Sequence, residues 1–262
     1  MRLSKGTRRL SQRARLHCGR MIQPPALILA AGRGERMRPL SDALPKPLLR
    51  VRGKPLIEWH LIALAAAGVR QVVINTAWLE EQFPATLGDG LRWGLSITYS
   101  FEGRDHGGAL ETAGGMRKAL PLLGDVFWLV SGDVFIPGFS FEGAAAQRFA
   151  AGDDDAHLWL VPNPSYHASG DFALTPDGRV NRGDDALPFT YANLALVRAR
   201  LVASLTLGQP APLGPLLFAS AAAQRLSGER LTSEWHNLGT PDQLHALNQG
   251  SRGREIVNEA RG

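Results

Sequence analysis

From Pro25 onward, short apolar runs of strand length alternate with runs of helical spacing: Ala26–Ala30, Leu56–Ala67, Gln71–Asn75, Leu79–Leu87, Leu95–Phe101, Thr112–Leu120 and Val126–Ser131. Such alternation predicts βαβ units, and with them an α/β fold whose mainly parallel sheet is flanked by helices. In the first helical run Ile57, Leu61, Leu64 and Ala65 form one stripe at i, i+4, i+7 and i+8, and Gly68 stands where the helix should stop. Beyond residue 150 the pattern loosens. Asp153-Asp154-Asp155 and Asn163-Pro164 read as loops, and Thr175-Pro176-Asp177-Gly178 as a tight turn between two strands. A smaller β-rich portion is expected there, followed by a last helix over Leu213–Leu226. No internal repeat occurs at any period.

A chain of 262 residues with 44% hydrophobic and 20% charged residues has enough apolar material for one sizeable core. The expected organisation is a basic, disordered extension over 1–22, one domain over 23–250 and a solvated tail over 251–262. No run of eighteen apolar residues is present, so no membrane span is expected. Cys18 is the single cysteine, which excludes an internal disulfide framework and any cysteine-built zinc site, and fits a cytoplasmic protein. The net charge of +5 points toward nucleic acid only until it is located. Arg2, Lys5, Arg8, Arg9, Arg13, Arg15 and Arg20 all precede residue 21 with no acid among them, and subtracting these seven from +5 leaves the remainder at −2. The leader lacks the apolar core of a secretory signal and any aromatic or helix-turn-helix context, so no nucleic-acid partner is expected.

The strongest chemical signal is Leu27-Ile28-Leu29-Ala30-Ala31-Gly32-Arg33-Gly34-Glu35-Arg36-Met37-Arg38-Pro39-Leu40, an apolar strand that runs into a small-residue loop rich in arginine. Small side chains let backbone N–H groups approach phosphate oxygens, and arginine offers fixed donors to the same anion. A Walker loop is excluded by the missing G-K-[ST], and a dinucleotide fingerprint by Met37 at the third small position. Lys46 follows between Pro45 and Pro47, where two prolines hold the backbone and preset the ammonium's direction. Next come Lys54-Pro55-Leu56-Ile57-Glu58, then Leu110-Glu111-Thr112-Ala113-Gly114-Gly115 and Val130-Ser131-Gly132-Asp133-Val134. Thr112 also reads as a helix N-cap, and Asp133 as a strand-ending turn. At the carboxyl end of a buried strand, however, an aspartate suits a magnesium ion.

Taken in order and spacing, A-A-G-x-G-x-R-M-x-P-L, P-K-P-L and K-P-L-I-E resemble the sugar-phosphate nucleotidyltransferase family over about residues 25–245. The resemblance implies a Rossmann-like fold with the smaller β-rich portion holding the sugar, and nucleoside triphosphate and sugar 1-phosphate as partners. It implies that Ala30, Ala31, Gly32, Gly34, Glu35, Glu111, Thr112 and Gly114 line the nucleotide. Arg36 and Lys46 would grip the triphosphate, and Asp133 would hold the Mg²⁺ cofactor. Arg33 and Arg38 read equally as solvated charges. The family's second metal carboxylate lies in W-x-D-x-G-T; here the segment is Trp235-His236-Asn237-Leu238-Gly239-Thr240, so an uncharged amide at Asn237 takes that place. The histidines read as structural.

The usual E-K-P sugar segment has no counterpart. In its place Asn163-Pro164-Ser165-Tyr166-His167-Ala168-Ser169-Gly170-Asp171-Phe172, together with E-T-x-G-G, resembles the N-acetylmuramate 1-phosphate uridylyltransferase branch of bacterial cell-wall recycling, in which Asp171 would meet the sugar. Ordinary turn chemistry accounts for Gly170-Asp171 as well. Three readings stay open: that uridylyltransferase, a guanylyl- or thymidylyltransferase on mannose or glucose 1-phosphate, and a nucleotide-sugar-binding regulator that Asn237 has cost its turnover.

Overall fold

The computed structural model describes residues 23–183 and 187–249; the readings made for 1–22 and 251–262 lie outside the described residues. In chain order the first half holds β1 (Ala26–Leu29), α1 (Leu40–Ala43), β2 (Arg50–Val51), β3 (Lys54–Pro55), α2 (Leu56–Ala66), β4 (Gln71–Thr76) and α3 (Gln82–Leu87). It continues with β5 (Ser96–Phe101), α4 (Glu102–His106), α5 (Glu111–Ala119), β6 (Val126–Ser131) and β7 (Val134–Phe135). The second half adds α6 (Gly143–Ala151), β8 (Ala156–Pro162), β9 (Ala173–Leu174), β10 (Val180–Asn181) and β11 (Phe189–Arg198). It ends with α7 (Arg200–Ala203), α8 (Gly214–Ala222), β12 (Leu226–Arg230) and β13 (His236–Asn237).

Seven strands form one sheet in the order β12-β8-β11-β6-β1-β4-β5. Strand β1 carries no polar residue because it is interior on every side: it pairs in parallel with both β4 and β6, and helices cover both faces. Alternation along the strands sends Ile28, Ile74, Trp128 and Val130 to one layer with α2, and Leu27, Val73, Phe127 and Leu129 to the other with α5 and α8. Helix α2 buries Ile57, Leu61 and Leu64 as its spacing requires, and it stops at Gly68, whose φ of +90° a side chain would disfavour.

The pairings of β12 with β8, β6 with β1, β1 with β4 and β4 with β5 are parallel, while β11 is antiparallel to both β8 and β6. The chain after residue 150 thus extends the central sheet as well as forming the small β9–β10 ribbon, whose turn is closed by Thr175 and Arg179 through backbone and hydroxyl bonds. Strand β11 is not regular: its register shifts between Tyr191 and Ala195, and Asn193 sits at φ +59°. A third, smaller apolar cluster joins Met37, Val51, Leu56, Phe135, Leu238 and Leu244. It binds the glycine-rich loop, the β2–β3 ribbon, the β7–β13 ribbon and the helix over 241–249 into one unit.

Candidate active site

Where β1 ends, the chain turns at the carboxyl edge of three parallel strands, the position where open α/β sheets collect ligands. The Ala30 N–H is shared between the Asn75 backbone carbonyl at 3.1 Å and its side-chain Oδ1 at 2.8 Å. Nothing lies within 4 Å of where a side chain at Gly32 would project, so the loop backbone is open to a ligand. Gly34 takes the left-handed conformation at φ +65°, and its carbonyl accepts from the Ser41 hydroxyl at 2.8 Å. Lys46 is buried between its prolines, and its Nζ donates to Asp133 Oδ2 at 2.8 Å. The turn that carries Asp133 packs tightly on the same strand: a Cβ at Gly132 would stand 3.0 Å from the Leu29 carbonyl and 3.3 Å from Pro47.

These residues enclose a cavity of about 360 Å³. Of those singled out in the sequence, Ala30, Ala31, Gly32, Gly34, Lys46, Glu111, Thr112 and Asp133 line it, joined by Asn75, Ala109 and Ser131. Through Glu111, Thr112 and Ser131 it continues into a space of about 420 Å³ over Tyr191 and Asn193, and through those two into a third of about 430 Å³ that reaches Tyr166, His167 and Asp171. A single cleft therefore crosses the sheet from the glycine-rich loop to the end of the second half.

Three of the residues expected at the nucleotide, Glu35, Arg36 and Gly114, stand apart from the first cavity. Past the left-handed Gly34 the chain winds into a short 3-10 turn, Glu35–Met37, which anchors Met37 in the third apolar cluster and leaves Glu35 and Arg36 exposed. Arg36 lines the 430 Å³ space instead of joining Lys46, and its guanidinium carbon lies 3.6 Å from where a Gly239 side chain would begin. Gly114 is buried behind the wall, where a Cβ would meet the Gln209 carbonyl at 2.6 Å; a close helix-to-loop approach requires this glycine. Thr112 is not an N-cap. Helix α5 begins one residue earlier, Leu110 holds the cap position with no side-chain bond, and the N–H groups of Ala113 and Gly114 are taken by the Ala211 carbonyl.

Asp171 uses both carboxylate oxygens within the protein: Oδ1 pairs with His167 Nε2 at 2.9 Å and Oδ2 accepts the Tyr191 N–H at 2.9 Å. It borders the cleft and at the same time braces the irregular part of β11. Burial pushes the Tyr191 hydroxyl well above its ordinary range, so that ring stays neutral. Behind Asp133, buried His60 donates from Nε2 to the Val134 carbonyl at 2.9 Å, and burial lowers its pKa to about 4. His60 is a neutral structural histidine, as the sequence reading held.

Asn237 comes to the same corner through β13. Its backbone pairs with Val134, and the Leu238 N–H donates to the Asp133 carbonyl at 3.2 Å. The donor set fits magnesium: one carboxylate and one amide oxygen, both hard, beside a cleft where phosphate oxygens could complete the shell. Among the described residues no group of three His, Cys, Asp or Glu side chains could hold a metal by itself. Asn75 and Ser131 were not anticipated from the sequence; the signal available was a polar residue at the carboxyl end of an apolar parallel strand, Asn75 being next to last in β4 and Ser131 last in β6.

Small residues at the carboxyl ends of parallel strands, with a buried lysine paired to an aspartate across them, define an enzyme that handles phosphate groups of a nucleotide. The chain belongs to the nucleotidyl transferase family, whose model matches residues 25–172. It is 44% identical over 228 residues to the N-acetylmuramate alpha-1-phosphate uridylyltransferase of Neisseria meningitidis serogroup B, covering 84% of this chain and 94% of that protein. The protein of the same name from Caulobacter vibrioides is 34% identical over 239 residues, covering 84% and 95%. Among solved structures, the inositol-1-phosphate CTP transferase from T. maritima shares the fold, with a TM-score of 0.66 at 17% identity over 87% of this chain and 95% of that one.

Proposed function

We propose that this enzyme transfers a uridylyl group from UTP to N-acetylmuramate 1-phosphate, releasing pyrophosphate and forming the UDP-sugar. The observation that carries the reading is the continuous cleft. Its 360 Å³ end is built of loop backbone, Lys46 and Asp133, and its far end is built of Tyr166, His167 and Asp171. Support for the particular substrates comes from the two uridylyltransferase relatives, which align over almost their whole length.

In the reaction an oxygen of the sugar phosphate attacks the α-phosphorus. The new O–P bond forms as the bond to the bridging oxygen breaks, and pyrophosphate leaves with that electron pair. Lys46 lines the cleft, so its ammonium would donate to phosphate oxygens as negative charge gathers on them. The ammonium has three donors and its bond to Asp133 uses one, so it can reach phosphate while that pair holds. Magnesium, when bound, supplies divalent charge against the phosphate oxygens, with Asp133 and the Asn237 amide oxygen as its protein ligands. Loop N–H groups around Gly32 and Gly34 would bind the triphosphate, and Arg36 would reach the phosphate from the sugar side. Asp171, held by His167 and Tyr191, would face the sugar.

The substrate pair would place the enzyme in peptidoglycan recycling in the cytoplasm, where nucleoside triphosphates are made; among the described residues no helix is long and apolar enough to cross a membrane. Pyrophosphate release with each of UTP, GTP, dTTP and CTP against N-acetylmuramate, N-acetylglucosamine, glucose and mannose 1-phosphates tests the reading. UTP with N-acetylmuramate 1-phosphate should give the highest kcat/KM. A higher value for a hexose 1-phosphate with another triphosphate would overturn it.

A further inference from the structure

Glu102 is wholly buried, with 0% of its surface exposed, and is absent from the lining of the three spaces of the cleft, yet its carboxylate oxygens bond Asn75, which lines the nucleotide end, and Leu110, which stands between two lining residues, Ala109 and Glu111. Oε1 accepts from Asn75 Nδ2 at 2.6 Å, and the Oδ1 of that same Asn75 amide accepts the Ala30 N–H at 2.8 Å. Oε2 accepts the Leu110 N–H at 2.8 Å. Ala30 begins the glycine-rich wall of the cleft, and Leu110 precedes Glu111 and Thr112 of the opposite wall. An unbroken chain of three bonds, Ala30 N–H to Asn75 to Glu102 to Leu110 N–H, therefore spans the cleft from behind.

Two features show that the surroundings are built around this chain. A Cβ at Gly115 would fall 2.5 Å from Glu102 Oε1 and 2.6 Å from Asn75 Nδ2, so glycine is required there by the pair and not by its own helix. Glu111 stands at φ +57°, a conformation that costs a non-glycine residue energy and persists only when its flanks are held. The Leu110 N–H bond holds one flank, and the bonds from Ala113 and Gly114 to Ala211 hold the other. Lys118 fixes the residue before the glutamate by donating to the Phe101 carbonyl.

We propose that Glu102 is a positioning residue for nucleotide recognition: it sets the distance and register between the Ala30–Gly34 wall and the Glu111–Thr112 wall without touching the nucleotide. The inference rests on the reading of this cleft as the nucleoside triphosphate site. Its chemistry is directional. Glu102 must accept twice, because an N–H donor faces each oxygen. Burial raises its pKa, and the two donors oppose that rise by favouring the carboxylate.

The test is a reciprocal exchange of functional groups. Glu102→Gln keeps the shape but sets an NH₂ against either Asn75 Nδ2 or Leu110 N–H, so one link must break. Adding Asn75→Asp restores every link at the wild-type net charge. The carboxylate then at position 75 would accept from the Ala30 N–H and from the amide NH₂ at position 102, whose own oxygen accepts from Leu110. UTP binding is measured by titration calorimetry, with KM for the sugar phosphate and the melting temperature recorded on the same preparations. Glu102→Gln should weaken UTP about tenfold, the effect of one unmet buried donor, and leave the sugar-phosphate KM within about twofold. The double variant should recover most of the loss in UTP binding. UTP binding unchanged in Glu102→Gln overturns the proposal, as does a double variant that binds UTP no better than the single one. If Glu102→Gln does not fold, the double variant decides: folded with near-normal UTP affinity it supports the proposal, and otherwise it overturns it. Wild-type protein that binds no nucleoside triphosphate would instead defeat the assignment of the cleft itself.

Discussion

Replacing Lys46 by methionine separates chemistry from folding most cleanly. The aliphatic stem of Lys46 packs beneath the glycine-rich loop, where a Cβ at Gly34 would meet its Cβ at 3.3 Å, and methionine keeps that stem. What is lost is the ammonium and its 2.8 Å bond to Asp133. The Asp133 side chain is 37% exposed, so water can replace the lost partner, and the stability cost should be about 1 kcal/mol. For a domain of this size that lowers Tm by about 2–4 °C. The kinetic cost is larger, because a preorganised donor aimed at developing phosphate charge is worth roughly 2.7–4 kcal/mol, or ~10²–10³ in kcat. A coupled pyrophosphate assay and a thermal melt on the same sample decide between the two effects. A Lys46→Met enzyme with kcat within about threefold of wild type would refute the role given to the ammonium. A Tm fall well beyond about 4 °C would refute the view that Lys46 adds little to stability.

Asp133→Ala should abolish turnover by several orders of magnitude and resist rescue by excess magnesium, while the fold survives, because the backbone bonds to Leu238 and Leu29 in that turn do not involve the carboxylate; restored activity at high magnesium would count against it. Asn237→Asp should lower the magnesium concentration that gives half-maximal activity, since added ligand charge tightens a hard cation. An unchanged magnesium titration there, with Asn237→Ala also silent, would remove residue 237 from the metal shell. His60 titrates lower in the folded protein, at about 4, than in the unfolded chain, at 6.5. Its contribution is therefore intact above pH 6.5 and is lost as pH falls toward 4, an effect of about 3 kcal/mol. Urea unfolding across that window should show a shallower acid slope in His60→Gln than in wild type, and equal slopes would contradict the assignment.

What the sequence determined by itself was whatever depends on neighbours in the chain. Continuous apolar runs of strand length marked β1 and β6, and a helical stripe marked α2, close to their observed ends, and Gly68 marked the stop of α2. Small residues after an apolar strand and a lysine between prolines located the glycine-rich loop and Lys46, and a carboxylate just past a strand located Asp133; all three are local patterns with local causes. Tertiary structure decided what depends on register between distant segments. Arg36 leaves the first cavity because Met37 must reach an apolar cluster assembled from residues 49 to 247. Gly114 is a packing glycine because a loop almost a hundred residues later crosses it, and the same loop caps α5 in place of Thr112. Asn237 meets Asp133 only through the pairing of β7 with β13, and Glu102 joins Asn75 to Leu110 only once β4, α4 and the start of α5 have docked. Chain-local propensity carries no information about such meetings, because each is set by which buried donors and apolar faces remain to be satisfied after the sheet has closed around β1.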